Sequence, residues 1–236
     1  KLSRAAQQLP LDIDHVESAS NRCVSSCGSN LRLWSADGVC DKTLSAKGLA
    51  AWAVLADGAG VVCAHVDGSF SVRSTTTGHF SASFRRPATS GGGGSSSIDE
   101  AGASEFADPM GTGLLALPDG RFAAFSPGEP DVAIFAVNWK AGAGALSGTL
   151  PLPHGVRFAS SSSAEGGAAV RPLLACVADR VVAYAMLSSS ASPRLPVWSL
   201  RTGKLQANLG VSGARRTWLA ALPNGVVALS GSEGAG

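Results

Sequence analysis

One short pattern occurs three times in this chain of 236 residues and limits what the chain can fold into. In each copy an apolar, strand-like run leads into Asp-Gly or Asn-Gly, and a second apolar run follows. The copies are Trp52–Gly58, Leu114–Gly120 and Trp218–Gly225. Because aspartate, asparagine and glycine tolerate the positive φ angles of tight hairpins, each copy predicts two antiparallel strands joined by a short turn.

A second pattern recurs between these copies: an apolar strand, a serine, a short polar stretch and a glycine. It occurs at Leu31–Gly38, Phe70–Gly78 and Val197–Gly203. The glycines that end the first two copies lie 40 residues apart. A repeat of about 40 residues is typical of a four-stranded propeller blade. Helical periodicity is nearly absent, so the sequence predicts an all-β propeller.

The repeats divide the chain into three parts. Residues 1–86 are predicted to form N-terminal blades, and residues 112–236 further blades with a Ser-rich insertion near 188–193. Residues 87–111 interrupt the pattern with a Gly/Ser-rich run and an acidic stretch. Such a run buries too little apolar surface to offset its ordering entropy, so we predict a flexible insertion.

The first three blades are predicted to span residues 11–46, 49–86 and 112–152. A fifth blade contributes two strands near the end of the chain, and Lys1–Leu9 is predicted as the outer strand of a further blade. We therefore expect a partial ring.

The fourth blade has two interpretations, because five strand-like runs compete for four places. Val156–Ala159 is predicted as its first strand and Leu173–Val177 as its second. The third strand is either Val181–Met186, with a Ser-rich insertion splitting the blade, or Val197–Ser199.

Composition argues against some classes of function. Charged residues make up 15% of the chain and the formal net charge is +2, without a long basic run, so direct binding of nucleic acid is not expected. No apolar run reaches the roughly 18 residues of a membrane-spanning helix. Five scattered cysteines are typical of buried thiols in a reducing compartment, which favours the cytoplasm.

No sequence pattern predicts a catalytic site, a metal site or a cofactor. The four histidines lack the spacing of a zinc pair, and no Gly-x-Ser-x-Gly elbow occurs. Asp12 and Asp14 share one face of a predicted strand, as paired catalytic carboxylates could, but this spacing also fits a solvent-facing strand.

Some charged and aromatic residues on predicted loops are candidates for contact with a partner protein. The arginine pairs fit either solvated loops or contacts with an acidic partner, and a surface tryptophan beside a lysine fits a binding hot spot. The candidate protein-binding residues are Asp12, Asp14, Arg85, Arg86, Trp139, Arg215 and Arg216.

The repeat resembles the WD-repeat family of β-propellers. Asp-Gly or Asn-Gly joins the first and second strands, and the third strand ends in Trp-Ser at Trp34-Ser35 and Trp198-Ser199. The other copies diverge at that ending, where Arg73-Ser74 and Phe135-Ala136 stand instead. The resemblance implies a WD-repeat-like β-propeller, in which function lies on loops held by a rigid scaffold.

One stretch is similar to a cytosolic propeller blade of the SREBP cleavage-activating protein family, the sterol-sensing escorts. It comprises Leu11–Ser18, Arg22–Gly28 and Leu31–Trp34. A long flexible insertion also splits early blades in that family, as residues 87–97 would do here. The similarity implies a cytosolic domain of a membrane protein at the endoplasmic reticulum, which holds a transcription-factor precursor.

Together these observations predict a non-catalytic scaffold that binds proteins. Docking would use the top face, on the loops that lead into first strands near Asp12, Ala50, Thr112, His154 and Arg216. Two alternatives stay open: a structural subunit of a large assembly, and a propeller hydrolase with acids or histidines clustered on one rim of the central channel.

Overall fold

A computed structural model shows a chain built from strands and turns. The residues that the structure describes are 15–19, 22–27, 29–86, 113–125, 129–138, 143–157, 174–183, 185–187, 193–210, 217–221 and 227–231. They form twenty β-strands, and none of them lies in a helix long and apolar enough to cross a bilayer.

The first three sheets each contain four antiparallel strands in sequence order. Blade 1 comprises β1 His15–Ala19, β2 Arg22–Cys27, β3 Asn30–Ser35 and β4 Cys40–Ser45. Blade 2 comprises β5 Leu49–Val54, β6 Gly60–His65, β7 Ser69–Ser74 and β8 Phe80–Arg85. Blade 3 comprises β9 Gly113–Ala116, β10 Arg121–Phe125, β11 Asp131–Asn138 and β12 Ala143–Pro151. The twelve strands of these blades lie within the ranges predicted for them.

The fourth sheet has six strands and decides between the two interpretations of blade 4. They are β13 Val156–Arg157, β14 Leu174–Val177, β15 Arg180–Ala183, β16 Ala185–Leu187, β17 Pro193–Ser199 and β18 Leu205–Gly210. The four main strands run in the order β14-β15-β17-β18, so Val197–Ser199 belongs to the third strand.

The predictions that Val156–Ala159 is the first strand of blade 4, Leu173–Val177 the second and Val181–Met186 the third are wrong. Leu174–Val177 is the first strand. Val181 lies in the second strand and pairs with Trp198. The strand β16, which follows β15 in the sequence, pairs with β17 and with the short β13.

The sheets are arranged about a common axis. A fifth sheet contains β19 Thr217–Ala221 and β20 Val227–Gly231. The first strands of the five sheets, β1, β5, β9, β14 and β19, contact one another in succession and are therefore the innermost. The fifth sheet has two strands among the described residues, and the ring is not closed.

The predicted Asp-Gly turns form as hairpins. Gly58 and Gly120 adopt positive φ angles of 69° and 79°, which cost glycine little. In each turn the preceding aspartate accepts a hydrogen bond from the backbone N–H two residues on, at 2.9 Å for Asp57 and 3.2 Å for Asp119. The corresponding Asn-Gly turn lies outside the described residues.

Burial explains why the second strands are continuously apolar. On β6, Val61 and Cys63 pack into a cluster with blade 1, whereas Val62 and Ala64 pack into a cluster with blade 3. All four side chains are at most 2% exposed. Because successive side chains point to opposite faces of a sheet, a strand that is buried on both faces needs an apolar residue at every position.

Aromatic rings fill the interface between blades 2 and 3. Phe70 and Phe84 of blade 2 meet Phe122 and Phe135 of blade 3, with ring centroids between 5.1 and 6.0 Å apart. Phe122 and Phe135 are fully buried. Offset and tilted ring pairs at such separations add about 0.5–1.5 kcal/mol each beyond the burial of their area.

Two tryptophans, Trp52 and Trp198, pack between blades. Trp52 is buried between blades 1 and 2, and Trp198 is fully buried between blades 3 and 4. The indole Nε1 of Trp198 donates a 2.8 Å hydrogen bond to the carbonyl of Pro151 on blade 3. This side chain therefore joins two blades by packing and by a polar contact.

Two glycines of β12 test this packing. A Cβ atom at Gly144 would overlap the ring of Phe84 on blade 2, whereas a Cβ at Gly148 would meet no atom within 4 Å. We expect Gly144→Ala to lower the free energy of unfolding by about 1–3 kcal/mol, because Phe84 lies among packed rings and cannot move aside. The matched control Gly148→Ala should change it by less than about 1 kcal/mol. Urea denaturation measures both, and equal effects would contradict the blade 2–3 interface described here.

Candidate docking surfaces

The turns lie on two opposite faces of the disc. On the top face, the turn between the second and third strands lies beside the connection from the previous blade. In blade 2, for example, the Val66 N–H donates a 2.8 Å hydrogen bond to the carbonyl of Gly48. On the bottom face, the hairpin between the first and second strands lies beside the turn between the third and fourth strands. In blade 2 the Thr75 N–H donates a 3.0 Å hydrogen bond to the carbonyl of Ala59.

Two of the predicted protein-binding residues are described, and both lie at the top face where β8 ends. Arg85 donates a 3.2 Å hydrogen bond to Asp67, and their side chains are 68% and 55% exposed. Arg86 is 16% exposed and pairs with Asp131 and, at 3.4 Å, with Glu129. Arg86 therefore links blade 2 to blade 3, while Arg85 stays accessible; their binding of a partner stays a prediction.

The other predicted binding residues, Asp12, Asp14, Trp139, Arg215 and Arg216, lie outside the described residues. Of the loops predicted to dock a partner, Thr112 also lies outside them. Ala50 is half-buried in β5, and His154 is exposed in the turn that precedes β13.

A groove of about 490 Å³ runs between blades 1 and 2 from the top face toward the bottom face. It is lined by Lys47, by the hairpin His65–Ser69, by Ser71 and Arg73 of β7 and by Phe80 of β8. We call it the blade 1–2 groove. Val66 and Phe80 are 50% and 55% exposed, so apolar surface flanks a polar interior.

Hydrogen bonds fix the polar groups at the top of this groove. His65 Nδ1 lies 3.0 Å from the carbonyl of Lys47, which can only accept, so this nitrogen carries a proton. His65 Nε2 lies 2.7 Å from Ser71 Oγ. Asp67 accepts hydrogen bonds from the hydroxyl and the N–H of Ser69, and these lower its pKa, with a smaller contribution from Arg85.

A buried thiol lies beneath the groove. Cys63 is fully buried, and desolvation raises its pKa from 9.0 to about 11, against the opposing effects of Arg73 and a hydrogen bond from Ser71. A thiol in this state is a weak nucleophile at neutral pH, so the arrangement favours a structural role.

The bottom face has shallower features. A pocket of about 310 Å³ lies between the inner strands of blades 3 and 4, beside Leu115, Leu174 and Cys176. Burial raises the pKa of the Cys176 thiol to about 11, with smaller contributions from Asp119 and Asp179. A second pocket of about 230 Å³ lies beside Arg121 and Arg201.

Within the described part of the chain, no three His, Cys, Asp or Glu side chains cluster where they could hold a metal ion. His65 is held by the carbonyl and hydroxyl groups given above, and His79 and His154 are exposed in turns.

Comparison with known proteins supports the fold. No protein-family profile and no curated protein matches the sequence. Solved structures that match include hydrazine synthase from Kuenenia stuttgartiensis, with a TM-score of 0.60 and 12% identity over 95% of this chain. The β-propeller domain of Cps50 (Swd1) from Myceliophteria thermophila matches with a TM-score of 0.57 and 11% identity over 93% of this chain. The alignments cover 58% and 62% of those two chains. The chain therefore folds as an all-β, WD-repeat-like β-propeller.

The blade 1–2 groove was missed by the sequence analysis, although one signal pointed to it. Arg73 stands where two other repeats carry tryptophan, a divergence that is visible in the sequence. The groove itself depends on how blades 1 and 2 stack, and a single repeat does not report that.

Arg85 and Arg86 are adjacent, but their substitution is expected to have different effects on stability. Arg86→Gln leaves two partly buried carboxylates without their cation, so we expect the free energy of unfolding to fall by about 1–3 kcal/mol. Arg85→Gln removes an exposed pair and should cost about 0.5 kcal/mol or less. Urea denaturation compares the two variants, and a larger loss at Arg85 would be inconsistent with the inter-blade role of Arg86.

The buried thiol predicts a loss of stability in alkaline solution. Since the folded state holds the Cys63 proton more tightly than the unfolded state does, this contribution is present below pH 9 and is lost as pH rises through about 11. The free energy of unfolding of the wild type, relative to Cys63→Ala, should therefore fall by about 2 kcal/mol between pH 8 and pH 11. Denaturant titrations at both pH values measure the difference, and a constant difference would show that Cys63 does not titrate in this way.

Proposed function

We propose that this chain is a non-catalytic scaffold that binds partner proteins on its top face. The proposal is carried by the stacking of the blades. The second strands of blades 2 and 3 bury both faces against their neighbours, so these sheets offer partners only turns and outer strands. Binding residues on a propeller are accordingly expected on loops that a rigid scaffold positions.

The top face is the better candidate for docking. It carries the upper end of the blade 1–2 groove, where the exposed side chain of Val66 lies beside polar groups, and the groove leads down to the exposed Phe80. Aromatic and aliphatic side chains that project beside a cavity are the usual anchors of protein interfaces.

A finer version of the proposal rests on sequence similarity alone. If Leu11–Ser18 and the two stretches that follow mark an SREBP cleavage-activating protein, the partner is a transcription-factor precursor. The domain then lies on the cytosolic face of the endoplasmic reticulum. A cytoplasmic location and the absence of direct nucleic-acid contacts are parts of the same proposal.

Two exposed valines on opposite faces provide a matched test. Val66 lies in a top-face turn and is 50% exposed, and Val39 lies in a bottom-face turn and is 47% exposed. We expect Val66→Asp to reduce binding of the protein's partners at least several-fold, because it places a charge in an apolar contact, while Val39→Asp retains them. Quantitative affinity enrichment from cells that make the protein compares both with the wild type, after thermal melts confirm folding.

The outcomes separate clearly. Loss of the same proteins from both variants, or from Val39→Asp alone, would remove the top face from consideration. Enrichment of no protein above an unrelated propeller would contradict the scaffold proposal itself.

A further inference from the structure

Strand register places four residues at the same position in successive blades. Trp34, Arg73, Phe135 and Trp198 each follow a register shift between the third and fourth strands. Each also pairs with the second residue of the second strand in its own sheet. The position is aromatic in blades 1, 3 and 4 and cationic in blade 2.

The aromatic residues at this position leave no polar atom without a hydrogen-bond partner. Trp34 Nε1 donates to Ser25 Oγ at 2.9 Å, and Trp198 Nε1 donates to the Pro151 carbonyl at 2.8 Å. Phe135 is fully buried against blade 2 and has no polar atom to satisfy.

Arg73 differs. Its strand partner Val61 packs into the core shared with blade 1, so Arg73 lies on the face of β7 that looks toward blade 1. The Nε atom is buried and has no hydrogen-bond partner among the described residues. A buried donor without an acceptor is destabilising, and such a group in a folded protein calls for an explanation. The guanidinium lies 5.9 Å from the centre of the Phe80 ring, which holds it in the groove.

The remaining charges of the groove do not neutralise Arg73. Asp67 is the acidic residue of the lining, and it is already bonded to Ser69 and Arg85. Lys47 adds a second cation at the rim. The groove therefore presents two cations to a partner, together with serine hydroxyls and the exposed Val66 and Phe80.

We propose, building on the scaffold function above, that the blade 1–2 groove binds an extended segment of a partner protein through an acidic side chain. The carboxylate of an aspartate or glutamate accepts hydrogen bonds from the part of the Arg73 guanidinium that faces the groove, and lies near Lys47. Apolar residues of the same segment pack against Phe80 beside Arg73 and against Val66 at the upper end of the groove. A guanidinium presents planar donors that match a carboxylate, which favours this chemistry over a simple attraction of opposite charges.

Parallel selections from a library of short random peptides test the proposal. The library is selected on the wild-type chain and on Arg73→Gln. We expect the wild type to enrich peptides that carry Asp or Glu next to a large apolar residue, and Arg73→Gln to lose this enrichment. For one selected peptide, the dissociation constant should rise about tenfold to a hundredfold on Arg73→Gln. Exchange of its acidic residue for Asn or Gln should have a similar effect on the wild type.

Two further variants keep the test independent of folding. Arg73→Trp restores the aromatic residue that blades 1 and 4 carry, and it should abolish binding while the melting temperature stays the same or rises. Lys47→Glu changes an exposed side chain outside the strands and should weaken binding several-fold. If Arg73→Gln and Arg73→Trp both lower the melting temperature sharply and Lys47→Glu leaves affinity unchanged, Arg73 is a structural residue and the proposal fails.

Failure of this inference can be told apart from failure of the scaffold proposal. Selected peptides that lack acidic residues, and whose binding depends on Val66 but not on Arg73, would overturn the acidic recognition and leave top-face docking intact. Selection of no peptide, together with no loss of partners on Val66→Asp, would overturn both.

Discussion

Burial of the second strands on both faces is the interaction on which the rest of this structure depends. The alternating residues of β6 belong to two different cores, one shared with blade 1 and one with blade 3. The same holds for β10, where Phe122 packs toward blade 2 and Phe125 toward blade 4. Each blade therefore stabilises its neighbours, and the energetics approach those of a linear array with nearest-neighbour contacts. The side chains available to bind a partner are therefore those that do not pack between blades.

Blades 2 and 3 could be predicted from the sequence because two local signals agree there. Asp57-Gly58 and Asp119-Gly120 define the hairpins, and the apolar runs that follow them are long enough to be buried on both faces. In blade 4 the signals conflict, because five strand-like runs compete for four places and the run that begins at Val181 belongs to the second strand and not to the third. Val181 pairs with Trp198, which is distant in sequence, and the pattern of hydrophobic residues does not predict this pairing.

The candidate site was less predictable than the fold. The adjacent arginines were noticed for their charge, but only tertiary structure separates Arg85, which is exposed, from Arg86, which is held by two carboxylates of blade 3. Arg73 was visible as a divergent residue in the repeat. That its Nε lacks an acceptor depends on the neighbouring blade, on the bulge before it and on the ring of Phe80, none of which is local in sequence.

Blades 2 and 3 are joined by a long stretch of chain, yet the interface between them is closely packed. Residues 87–112 join the two blades in sequence. This connection is much longer than the one between blades 1 and 2. Yet this interface holds four phenylalanine rings and the ion pairs of Arg86. Closing a long loop costs little more entropy than closing a short one, and the packed rings offset it. A single proteolytic cut in this connection should therefore leave the two portions of the disc bound to each other, as complementary fragments of one molecule.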